Sequence, residues 1–133
     1  MLTQLDAHVF DSPTTLCGAG RAQWAQCLDA FSVRNAGRVV TVEENLRDLG
    51  VVPTAVNAIL SGVSYDHRDG AAQIMLGTRV AGLRHRTVVA RDVLAVDTLV
   101  TAGGRDVALR LAVPQGQVLV TFLTPAKSPP VQE

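Results

Sequence analysis

The spacing of apolar residues changes once along this chain. Trp24, Cys27, Leu28 and Phe31 stand at i, i+3, i+4 and i+7, which is one face of an amphipathic helix running from Arg21 to Asn35. Gln23, Gln26, Asp29 and Arg34 fall on the opposite face, and Gly37 follows where a helix-ending glycine belongs. Beyond it the period becomes two. "RVVTVEEN" alternates, with Val40 and Val42 on one side and Val39, Thr41 and Glu43 on the other, the pattern of a half-buried strand. "LRDLGVVPTAVNA" is broken by Gly50 and Pro53 and reads as a connection.

Strand follows strand after that: "AILSGVSYD" to Asp66, "AAQIML" after the turn "HRDG", "LRHRTVV" at 83–89, "VLAVDTLV" at 93–100, "DVALRLAV" at 106–113 and "QVLVTFL" at 117–123. The breaks at Gly103-Gly104 and Pro114-Gln115-Gly116 have hairpin chemistry. The expected fold is α+β: one N-terminal helix packed on a six- to seven-stranded antiparallel meander. Residues 1–20 are expected to form a poorly ordered segment, 21–124 a single domain and 125–133 a Pro-rich tail.

Several strands carry apolar residues in both registers, as strands buried on both faces do. A helix of fifteen residues is about 22 Å long and covers one face of a sheet about 24–29 Å wide. The other face then requires either curling into a partly open barrel or a second subunit. Ile74, Leu99 and Val120 are expected to add to an exposed patch, which favours a homodimer across the sheet.

Composition narrows the function classes. Of the 133 residues 12 are basic and 12 acidic, so there is no positive excess to displace counterions from nucleic acid or to hold a membrane surface. The two cysteines, Cys17 and Cys27, make neither a disulfide framework nor a zinc spacing. The start "MLTQLDAHVFD" has neither the basic nor the apolar region of a secretory leader, and no apolar run is long enough to span a bilayer. A cytoplasmic location is expected, with no cofactor and no metal.

Two polar clusters invite a chemical reading. "DHRDG" at 66–70 holds two aspartates and a histidine, but Asp and Gly are turn formers, and a hairpin tip gives no desolvation to shift a pKa. A metal site at Asp66, His67 and Asp69 lacks a fourth ligand. The second cluster is "TRVAGLRHRTVVAR". Its Arg84, Arg86 and Arg91 form a candidate anion site, because guanidiniums grip phosphate bidentately. His85 is expected inward and hydrogen-bonded, on the face of Leu83 and Thr87. Tyr65 is the one aromatic free to stack on a base. Glu43 and Glu44 point to opposite faces and make a poor carboxylate pair.

The run "AQWAQCLDAFSVRNAGRVVTVE", then "LGVV", "LSGVSYD", "AAQIMLG" and "LRHR", resembles the prokaryotic family catalogued as domain of unknown function 5335. The resemblance spans residues 21–123, with Gly82 in place of the first histidine of that family's "HLTH"-like strand. It implies a bacterial protein and carries no activity or residue role. "SGVSYDHRDGAAQIML" also resembles the first motif of Sm-like RNA-binding barrels. Three readings compete. The first is a non-enzymatic, self-associating interaction module with an apolar edge or face left uncovered. The second is a small barrel binding RNA or nucleotide phosphate through Arg84, Arg86 and Arg91. The third is an enzyme whose pocket gathers His85, Tyr65 and an acid.

Overall fold

The computed structural model describes residues 20–77 and 85–123. A 3-10 turn, Arg21–Gln23, leads into helix α1, Trp24–Asn35. Seven strands follow: β1 Val39–Leu46, β2 Gly50–Asp66, β3 Ala71–Gly77, β4 Arg86–Ala90, β5 Ala95–Val100, β6 Asp106–Val113 and β7 Gly116–Phe122. They form one antiparallel sheet in the order β4-β3-β2-β1-β7-β6-β5. The α+β expectation holds. The Pro-rich tail and nearly all of the N-terminal segment lie outside the described residues.

β2 organises the sheet. Its 17 residues include the stretch "GVVPTAVNA", which is strand and not connection. The first half pairs with β1, from Leu46↔Gly50 to Val39↔Ile59, and the second half with β3, from Ile59↔Gly77 to Asp66↔Ala71. Against β1 the register slips twice. Val40↔Ala58 is followed by Val42↔Ala55 and then by Glu43↔Pro53, so β2 carries an extra residue at each step. Such bulges coil a strand, and Asn57 within this stretch has φ 56°.

The curl that results can be bounded from the topology. β4 and β5 are the outermost strands, yet only residues 91–94 join them. Five Cα steps reach at most about 18 Å, whereas seven flat strands span about 29 Å. The sheet must therefore bend until its edges approach. The link is pinned on both sides, Val93 N–H donating to Gly70 O at 3.0 Å and Leu94 N–H to Ala112 O at 2.7 Å. No ladder joins β4 to β5, so the sheet is not closed into a barrel.

Curling also corrects the expectation of an apolar second face. Ile74 and Val120 are wholly buried on the concave side, among Val40, Val42, Leu109 and Leu111, and Leu99 is only partly exposed. The outer face is mixed: one row runs Glu43, Leu119, Arg110, Asp97, closed by an Arg110–Asp97 ion pair at 2.9 Å.

α1 fills the place that β1 vacates beside β2. Trp24, Leu28 and Phe31 are buried, as the periodicity predicts. Trp24 meets Tyr65 edge-on at 5.2 Å between ring centroids, and Phe31 meets Phe122 at 5.9 Å. Above Ile59 the backbone of β2 has no β1 partner. Leu60 is served by Gly37 and Arg38, and Ser32 Oγ accepts the Val63 N–H at 2.8 Å. The same hydroxyl lies 3.0 Å from Val63 O and 2.8 Å from Leu28 O, two acceptors for its one hydrogen. A helical side chain thus does the work of a missing strand.

Candidate interaction surface

The 66–70 cluster is a turn. Asp66 Oδ1 accepts the Arg68 N–H at 2.9 Å, and Asp66 O accepts the Gly70 N–H at 2.8 Å. Gly70 sits at φ 66°, in the left-handed region that glycine enters without cost. His67, Arg68 and Asp69 are exposed, and His67 lies edge-on to Tyr65 at 5.1 Å. Asp66 is therefore spent on turn geometry. Among the described residues no group of three His, Cys, Asp or Glu is placed to hold a metal ion.

Tyr65 is buried, against the expectation of a stacking platform, because it shares the inward register with Val63 and is packed by Trp24. His85 is exposed, against the expectation that it faces inward. The parity of the strand is as expected, but its direction is reversed: Val88 and Ala90 are the buried pair, which turns His85 and Thr87 out. Nor do Tyr65 and His85 approach each other. Tyr65 lies on the Ala72 row, and the His85 ring rests beside Gly77. Five residues of β3 separate these positions, about 17 Å.

The three arginines fare similarly. Arg84 lies outside the described residues. Arg86 and Arg91 are exposed at opposite ends of β4, five residues and about 17 Å apart, with opposite parity. The described pair does not converge on one phosphate. Glu44 accepts a 3.0 Å hydrogen bond from Thr54 and stands opposite Val52, while Glu43 stands opposite Pro53.

One buried polar node escaped the sequence reading. Asp106, at the start of β6, accepts from Arg34 Nε at 3.0 Å, Arg34 Nη2 at 3.3 Å and Asn35 Nδ2 at 2.9 Å. Arg38 Nη1 donates to Asn35 Oδ1 and to Asp106 O, both at 2.9 Å, and its guanidinium lies 3.9 Å from the Phe122 ring. Burial lowers the Arg38 pKa, and the Asp106 carboxylate raises it in opposition. Both carboxylate oxygens are engaged, so the node ties the end of α1 to β6.

What remains is the arm formed by β1 and the first half of β2. β3 pairs with β2 only from Ile59 onward, so among the described residues nothing pairs with the outer edge of 50–58. Leu49, Val51, Val52 and Val56 are 69%, 57%, 39% and 61% exposed. These are four of the eight exposed large apolar side chains among the described residues, gathered within eight consecutive positions. No residue from Leu49 to Leu60 is charged. Beside the arm is a shallow open depression of about 400 Å³ lined by Asn45, Arg47, Gln115, Gly116 and Gln117. Arg47 N–H donates to Gln115 O at 2.7 Å and Arg47 Nη2 to Pro114 O at 3.2 Å. The backbones meet closely there. Gly116 has φ 151°, and a Cβ on it would collide with the carbonyl of Asn45. An apolar patch with a polar rim is the ordinary anatomy of a protein interface. Periodicity missed it because Gly50 and Pro53 hide the strand; the missing charge from Leu49 to Leu60 was the available signal.

Among the described residues no helix is long and apolar enough to cross a membrane. The model of a family of unknown function (DUF5335) matches residues 19–131. No curated protein matches, and neither does any solved structure.

Proposed function

The chain belongs to this family of unknown function, DUF5335, and we propose that it is a non-enzymatic interaction module of the bacterial cytoplasm that self-associates through the β1–β2 arm. The observation that carries the reading is the uncharged run from Leu49 to Leu60, with four large apolar side chains held out to solvent. A monomer has no use for such a patch, and water penalises it. The absence of charge within it favours a second copy over a partner selected by charge. Against an enzyme stand the separation of Tyr65 from His85 and the saturation of Asp106.

The strength of association follows from the patch. Covering each of the four side chains is worth roughly 1 kcal/mol. Eight in a dimer would supply at most about 8 kcal/mol before the cost of association, so the dimer is no tighter than micromolar. The test is substitution: Val51→Asp with Val56→Asp should leave the melting temperature near that of the parent and abolish dimer at 50 μM in size-exclusion chromatography with light scattering. A double variant that elutes as the wild type does would remove the arm from the interface.

A further inference from the structure

We propose that the two copies meet tip to tip, about a two-fold axis at the turn between Leu46 and Gly50, with Arg47 of each facing the partner's Asp48. This rests on the self-association proposed above and names its geometry. Two arrangements of the arm are open to a second copy, and they differ in what they demand. Edge-to-edge pairing needs a flat, regular strand with its N–H and C=O groups free. The outer edge of β2 is neither flat nor regular: it contains Pro53, and the register slips twice between Val40 and Glu43. Proline and bulges are the devices that keep an edge strand from pairing with another chain.

Tip-to-tip contact needs only a surface complementary to itself, because a two-fold interface brings the same patch from both sides. The turn has that property. Its two charges are of opposite sign and adjacent, Arg47 and Asp48, and both side chains are exposed. Neither is in an ion pair among the described residues. Arg47 is steadied by the carbonyls of Gln115 and Pro114, which leaves most of its donors unused. Glu43 and Glu44, behind the turn on β1, are only partly exposed, and Glu44 is held by Thr54. A two-fold axis beside the turn sets plus against minus twice and brings Leu49, the most exposed apolar residue of the arm, and Val51 to the partner, with Val56, about 20 Å along β2 from Gly50, beyond the contact.

Charge reversal tests the geometry separately from the association. Asp48→Arg places Arg47 against two arginines, and Arg47→Asp places Asp48 against two aspartates. Each alone should raise the dissociation constant about tenfold, the effect of losing two exposed pairs and gaining two repulsions. An equimolar mixture of the two variants should restore it, since every facing pair is again opposite in sign. Among the described residues the Asp48 side chain has no hydrogen bond or ion pair, so Asp48→Arg serves as the folding-neutral arm, checked by its melting temperature. If sedimentation equilibrium shows wild-type affinity for both single variants, or no recovery on mixing, while Val51→Asp still splits the dimer, the tip-to-tip geometry is wrong and the association stands. A wild-type chain that is monomeric overturns both.

Discussion

Phe31→Ala measures how far α1 holds the curled sheet together. Phe31 is fully buried, its ring 5.9 Å from that of Phe122 on β7, and its carbonyl accepts from Asn35. Removing the ring opens a cavity between the helix and the concave face. Phe→Ala at such sites costs about 3–5 kcal/mol, a large part of the 5–15 kcal/mol that a domain of ordinary stability has. For 133 residues the unfolding entropy is about 0.28 kcal/mol/K, so the melting temperature should fall by roughly 11–18 °C. Val33, two residues away on the same helix, is 84% exposed. Val33→Ala is the control, expected to stay within about 0.5 kcal/mol of the parent. Urea unfolding followed by Trp24 fluorescence reads both. If Phe31→Ala and Val33→Ala have the same midpoint, the helix is not packed as described.

Two further substitutions probe features that only the folded chain reveals. Ser32→Ala leaves the Val63 amide without its acceptor and should cost about 1–2 kcal/mol, the loss of a buried hydrogen bond less the gain in helix propensity. Its signature is local: hydrogen exchange at Val63 should quicken more than at Leu109. Gly116→Ala drives a Cβ into the carbonyl of Asn45 at a positive φ and should cost at least about 2 kcal/mol, read by thermal melting; an unchanged midpoint would mean that the turns at 47–49 and 114–116 are not in contact.

The helix and the 66–70 turn were legible because their causes are local. Four apolar residues at helical spacing mark α1, and Asp66 and Gly70 make the turn with their own side chain and backbone. The first half of β2 was not legible. Its bulges break the period of two, and Gly50 and Pro53 imitate a loop. The burial of Ile74 and Val120 was misread for a global reason: apolar residues in both registers suggest a flat sheet with two dry faces, whereas this sheet bends around one core. The Asp106 node joins residues about seventy positions apart, and no local pattern announces such a partner. The arm is the converse case. Its sequence looks like an ordinary connection, and only the strand pairing shows its apolar residues held in the open.

Sedimentation equilibrium of the wild-type chain from 1 to 100 μM tests the central claim most directly. The arm predicts an average mass rising from near 14.1 kDa toward twice that value across this range, with one monomer–dimer constant fitting every concentration. A mass that stays at 14.1 kDa at 100 μM would contradict it.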